Sequence, residues 1–179
     1  MMYYELYILA CLIERSCYGY ELKKRMQDGF SLCTTINNNT IYPLLKKYEK
    51  NGYATKELQV SDVHPNRYLY HITEKGCDFF LSMLNDVSNS SLNDRDQFIM
   101  RLSYFHFITM ANRQRILVYR RQFLENGIDK LKKASNTNYS LFQPRIPENH
   151  QFHLELLQLE LHLLEQFEEK INEPVEKIK

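Results

Sequence analysis

Residues 37–52 read NNNTIYPLLKKYEKNG, and the reading of this stretch decides the fold. Ile41, Leu44, Leu45 and Tyr48 recur at helical spacing, which predicts one buried face. Asn39, Thr40, Lys46, Lys47 and Lys50 fall on the other faces and would look outward. That outward set is amide, hydroxyl and ammonium, the groups that hydrogen-bond base edges and phosphates. Pro43 lacks an amide hydrogen and is best tolerated near the end of the first turn. The helix should therefore start near Asn38 or Asn39, with an asparagine as its cap. Asn51-Gly52 supplies a left-handed stop. A polar, basic face also describes an ordinary solvated surface helix, so the flanking segments must decide between the two.

Upstream, Leu6, Leu9, Ala10 and Ile13, widened by Ile8 and Leu12, trace a first helix that Glu14-Arg15-Ser16 ends. Tyr18-Gly19 opens a second, YELKKRMQD, closed by Gly29. Downstream of Gly52 the period changes. Residues 53–60 (YATKELQV) and 67–72 (RYLYHI) read as short strands around the turn SDVHPN. Thr73 then caps a fourth helix carrying Phe79, Phe80, Met83 and Leu84. Helix, helix, helix and β-hairpin is the order of a winged helix-turn-helix, whose third helix enters a major groove while the hairpin reaches the backbone or minor groove.

Three ordered blocks, ILACLIERSCYGYELKKRM, NTIYPLLKKYEKNGY and NRYLYHITEKG, resemble the PadR family of bacterial transcriptional regulators over about residues 3 to 84. The shared signatures are GYEL at the start of helix two, a GTLYP-like start to helix three, and Y-x-I-T-x-x-G at the close of the wing. The chain departs from that pattern with Tyr18 where histidine is usual, with Asn39 in place of glycine, and in lacking a Gly-Pro before helix two. The resemblance implies that Thr40, Tyr42 and Lys46 lie at the DNA face. The residues themselves point the same way for Thr40 and Lys46. Tyr42 either sends its hydroxyl to a phosphate or packs on the helix flank. Asn37, Asn38 and Asn39 either pair an adenine edge or cap the turn. Lys47 joins Lys46 as a phosphate contact, Asn66 and Arg67 stand at the wing tip, and Tyr20 reads as packing between helices.

The second half begins with a polar stretch, NDVSNSSLND. Three helical patterns follow: one through Phe98, Ile99, Leu102, Phe105 and Ile108, one over 112–134, and one over 148–172. The last carries a wide apolar stripe, Phe152, Leu156, Leu159, Leu163 and Phe167, flanked by further leucines. Residues 95–133 hold nine basic and three acidic groups, whereas 148–173 hold one and seven, so the two long helices should attract each other. The resemblance implies that this region joins two subunits, and Leu156, Leu159, Leu163 and Phe167 are the expected dimerisation residues. The expected organisation is a winged helix-turn-helix domain over 1–85, a linker over 86–94 and an α-helical dimerisation domain over 95–179. The fold class is mainly α with a small β-hairpin wing.

The chain's 179 residues are 44% hydrophobic and 25% charged, the composition of an ordinary globular protein, and a net charge of +1 confines any basic surface to a local patch. The longest apolar run, LYILACLI, is too short to span a bilayer and lacks a charged leader, so no membrane partner and a cytoplasmic location are expected. Cys11, Cys17, Cys33 and Cys77 form no C-x-x-C pair and read as small core residues. Gly-rich phosphate loops, G-x-S-x-G and H-E-x-x-H are absent, and neither a catalytic site, a metal site nor a cofactor is expected. The leading expectation is a homodimeric regulator, a repressor, that binds an inverted repeat in double-stranded DNA. The family resemblance adds a small aromatic effector. The alternative is a winged-helix module for protein–protein contact without a DNA role, which the near balance of ten basic and nine acidic residues over 1–80 keeps open.

Overall fold

The computed structural model describes residues 2–30, 38–60, 67–134 and 147–172. In chain order they form α1 (Met2–Glu14), β1 (Cys17–Tyr18), α2 (Gly19–Phe30), α3 (Asn38–Asn51), β2 (Ala54–Gln59), β3 (Arg67–Ile72), α4 (Glu74–Asn85), α5 (Asn89–Leu92) and α6 (Arg95–Leu102). A 3-10 turn (Phe105–Phe107), α7 (Met110–Ala134) and α8 (Pro147–Asn172) complete the chain. Two compact units divide it, Met1–Thr109 and Met110–Lys179.

The core of the first unit forms around α1. Leu6, Ile8, Leu9 and Leu12 are buried there together with Leu22 and Met26 of α2 and Phe80 and Leu84 of α4. Side chains of this size contribute roughly 1.5 to 3 kcal/mol each when fully buried, so this cluster outweighs any surface pairing in the unit. The stripe expected in α3 is buried throughout: Ile41, Leu44, Leu45 and Tyr48 are all below a tenth exposed. The Tyr48 hydroxyl donates to the Glu5 carbonyl of α1 at 3.1 Å, which gives the one polar atom of that stripe a partner.

α3 ends as its last residues imply. Gly52 has φ of 72°, its N–H donates to the Glu49 carbonyl at 3.0 Å, and the Tyr53 N–H donates to the Tyr48 carbonyl at 2.8 Å. This double closure needs a left-handed residue, which glycine supplies without a Cβ clash. Thr73 fastens the stop to α4: its hydroxyl donates to the Gly52 carbonyl at 2.7 Å and accepts from the Gly76 N–H at 3.1 Å. Gly76 itself packs so tightly that a Cβ there would lie 2.1 Å from the Tyr53 carbonyl oxygen. The closing threonine and glycine of the Y-x-I-T-x-x-G block thus clamp the end of α3 to the start of α4.

The wing is a three-stranded antiparallel sheet in the order β1-β3-β2, with Tyr18 opposite Leu69 and Leu58 opposite Tyr68. Alternation cannot reveal β1, because two residues carry no period. Cys17 within it is fully buried and Cys11 nearly so, as small core residues should be, whereas Cys77 of α4 is only half-buried and Cys33 lies outside the described residues. The second helix runs one residue past Gly29, to Phe30.

The polar stretch after α4 contains a hydrogen-bonded knot. The Ser88 N–H and hydroxyl donate to the two Asp86 carboxylate oxygens at 2.9 and 2.8 Å, and Ser91 is fully buried. Arg101 of α6, also fully buried, donates from Nη1 to the Asp86 carbonyl at 2.7 Å. The helical pattern expected through Ile108 breaks at Tyr104, whose φ and ψ are −114° and 15°. The break lets Tyr104 and Phe107 both meet the Phe80 ring edge-on, at 5.7 and 5.3 Å between centroids. Tertiary packing of aromatic rings overrides local helix periodicity there.

In the second unit α7 and α8 pair antiparallel: Arg120 meets Glu160, and seven residues further along α7 Gly127 meets Leu157, earlier on α8. Arg120, buried, donates from Nε to Glu160 at 2.8 Å and lies over the Phe123 ring, and Arg121 reaches Glu165 and Glu168. The opposite charges read from the two segments therefore meet face to face. Leu164 is buried against this seam with Ile116, Leu117 and Leu124.

Candidate nucleic-acid interface

With one face of α3 held in the core, its other face is left to solvent. Tyr42 is 46% exposed, Pro43, Lys46 and Lys50 are exposed, and Thr40 is half-buried. Lys46 has no partner among the described residues. Lys47 differs: its ammonium donates to the Glu5 carboxylate at 2.7 Å, so its charge is already compensated by α1. Asn38 and Asn39 form the first turn of α3, but their side chains, like all of Asn37 and Asn66, lie outside the described residues.

The elbow where β1 passes into α2 lies between α3 and the wing. The Glu21 carboxylate accepts from the Tyr18 N–H at 3.0 Å, a capping contact that fixes the start of α2 and explains the glutamate of the GYEL block. The glycine of that block is explained by Tyr42, because a Cβ on Gly19 would lie 2.8 Å from Tyr42 Cε1. Tyr20, which the sequence suggests is packed between helices, is instead 48% exposed. Its ring stacks on Tyr18 with centroids 5.6 Å apart, and the Arg67 guanidinium lies over it at 5.3 Å. Nothing in the sequence pairs Tyr20 with Arg67, because the partners are 47 residues apart; only the β1–β3 register brings them together.

On the far side of the wing Lys56 is held by Glu49 at 2.8 Å and lies over the Tyr68 ring at 5.0 Å. Its hydrogen bond to the Glu49 carboxylate raises the Lys56 pKa and keeps it cationic. Ser16, His71 and Glu57 line up across the sheet, with Ser16 Oγ 2.7 Å from His71 Nδ1 and His71 Nε2 3.5 Å from Glu57. The two outer residues are exposed and unenclosed, and the row serves to tie β1, β3 and β2 together rather than to build a nucleophile. Among the described residues no group of three or more His, Cys, Asp or Glu could hold a metal ion, and no helix is long and apolar enough to cross a membrane.

The four expected dimerisation residues divide by exposure. Leu159 and Leu163 are 55% and 54% exposed, and Leu156 and Phe167 are half-buried. Phe152, 62% exposed, extends the same row, so Phe152, Leu156, Leu159 and Leu163 repeat at spacings of four and three on α8. That is the period of a helix seam.

Comparison with known proteins gives one family and several structures. The model of the transcriptional regulator PadR-like family matches residues 8–80. A PadR-like transcriptional regulator from Bacillus cereus is 33% identical over 44% of this chain and 74% of its own, with a TM-score of 0.37. A Streptococcus mutans protein is 26% identical over 90% of this chain and 96% of its own, with a TM-score of 0.44. Bacillus subtilis PadR, solved in complex with operator DNA, is 16% identical over 91% of this chain and 94% of its own, also with a TM-score of 0.44. No curated protein matches the chain. The family model spans GYEL, IYP and Y-x-I-T-x-x-G, whose Gly19, Tyr42, Thr73 and Gly76 make the contacts that fix the elbow and the α3–α4 clamp, and the chain belongs to the PadR-like family of transcriptional regulators.

Proposed function

We propose that the chain is a cytoplasmic, homodimeric transcriptional regulator that binds double-stranded DNA at an inverted repeat and acts as a repressor. The observation that carries this reading is the two-sidedness of α3: Ile41, Leu44, Leu45 and Tyr48 are buried, while Tyr42 and Lys46 stand exposed, with Tyr42 against Gly19, the neighbour of the Tyr20 that carries Arg67. Thr40, Tyr42 and Lys46, with Asn38 and Asn39 at the leading turn, would face the major groove. Arg67 and Asn66 would meet the backbone or minor groove. Lys47 supports the reading indirectly, by holding α3 on α1 through Glu5.

A twofold axis through paired α8 helices would set two copies of α3 about 34 to 36 Å apart, one turn of duplex. The exposed row Phe152, Leu156, Leu159 and Leu163 supports α8 as that seam, with Phe167 at its end. Release by a small aromatic effector belongs to the same proposal, and thermal-shift screening with aromatic acids tests it.

Selection of duplexes from a random pool tests the central claim. The expected product is an inverted repeat, and Lys46→Ala or Arg67→Ala should weaken binding at all sequences and flatten the salt dependence by about one counterion per site. Failure to enrich any sequence at low salt would favour the second reading, a module for protein contact. Leu58, Tyr68 and Val60, exposed together on the wing with Val60 at 71%, are the observation that favours it.

A further inference from the structure

The Tyr20 ring is half-exposed on the surface of the first unit. Among the described residues its ring meets Tyr18, stacked on it, and the guanidinium of Arg67. Tyr18 is itself fixed, because its strand pairs with β3 opposite Leu69 and its N–H is held by Glu21. The ring under Arg67 is therefore anchored through β1, while Arg67 opens β3 with its side chain exposed and with no carboxylate partner among the described residues. One residue before Tyr20, Gly19 receives the Tyr42 ring of α3.

We propose that Tyr20 is a positioning residue for DNA contact, holding the Arg67 guanidinium on its ring so that the wing's cation is oriented before the duplex arrives. The proposal rests on the DNA-binding reading above. An arginine at the end of a hairpin has several freely rotating bonds, and fixing them on binding opposes association. A guanidinium resting on an aromatic face keeps its N–H donors for a phosphate or a narrow minor groove. The elbow thereby couples both DNA-facing elements: Gly19 seats Tyr42 of α3, and Tyr20 seats Arg67 of the wing.

The test is a double-mutant cycle on the full-length protein, with a duplex that the wild type selects from a random pool and with affinity read at several KCl concentrations. Tyr20→Leu should weaken binding about two- to fivefold, the range of an exposed cation–aromatic contact. Tyr20→Phe should restore it, and Tyr20→Leu should have no further effect in an Arg67→Ala background. In the free protein, the Arg67 Nε–H resonance should carry a ring-current shift that Tyr20→Leu removes and Tyr20→Phe keeps. Additive losses, or a loss in Tyr20→Phe equal to that in Tyr20→Leu, would overturn the proposal by making Tyr20 a direct contact. An unshifted Arg67 resonance would overturn it without reference to DNA. A wild type that binds no duplex would instead end the functional reading, and this inference with it.

Discussion

The Tyr42 ring lies over Gly19 so closely that a methyl group built on Gly19 would sit 2.8 Å from Tyr42 Cε1. Gly76 faces a similar limit, but against backbone: its added carbon would meet the Tyr53 carbonyl oxygen at 2.1 Å. The two glycines should therefore respond differently. Tyr42 is half-exposed and can swing aside, so Gly19→Ala should cost under about 1 kcal/mol of stability while displacing a ring from the proposed DNA face. Gly76→Ala has no such escape and should cost about 3 kcal/mol or more. Urea unfolding of both variants checks the contrast, and equal losses would refute it.

Leu163 and Leu164 are neighbours on α8 with opposite surroundings, the first exposed and the second buried against α7. Leu163→Glu, or Leu159→Glu, should reduce self-association in sedimentation and leave helicity by circular dichroism unchanged. Leu164→Glu places a charge inside the hairpin and should lower helicity as well. A Leu163→Glu protein that sediments like the wild type would remove α8 from the proposed seam.

Asp86 gives the fold a defined acid sensitivity. Burial pushes its carboxyl up, but the hydrogen bonds from Ser88 and Ser91 and the charge of Arg101 outweigh it and bring the pKa below the ordinary 3.8. A carboxyl with a depressed folded-state pKa binds its proton more readily when unfolded. Its contribution is therefore complete above about 3.8 and is lost as pH falls through the lower folded value. Asp86→Asn should lower stability at pH 7 and reduce the loss that the wild type suffers between pH 4 and pH 2, as read by urea unfolding at each pH.

The thiols should separate by burial. Desolvation pushes Cys11 up to about 11, and Cys17 is fully buried, whereas Cys77 is partly exposed. In a Cys33→Ser background, a thiol reagent at pH 8 should label Cys77 in the native protein and reach Cys11 and Cys17 only after denaturation. Rapid native labelling of all three would contradict the packing of α1 on β1.

Much of this architecture can be read from residue order, and the reasons are local. The α3 stripe, the Gly52 stop and the Thr73 cap are written within a few residues of where they act, and the structure has all three. The opposite charges of the two long C-terminal segments likewise anticipate Arg120–Glu160 and Arg121–Glu168. What stays hidden is contact across distance. A two-residue strand has no alternation, the polar composition around Asp86 conceals a buried arginine, and the break at Tyr104 answers to Phe80 rather than to its own neighbours. Lys47 resembles Lys46 in sequence, and only the fold distinguishes the lysine held by Glu5 from the one left open.

That attachment also bears on transplanting this helix. Glu5 receives Lys47 through its carboxylate and Tyr48 through its carbonyl, so α3 is not a detachable cassette. A chimera that grafts residues 38–52 onto a relative's scaffold would find a main-chain carbonyl for the phenol in any host helix, but its cation would lose its counterpart unless the host supplied an acidic residue at the matching turn of its first helix. Moving the proposed DNA-facing helix between family members should therefore go best when residue 5 of α1 is exchanged with it.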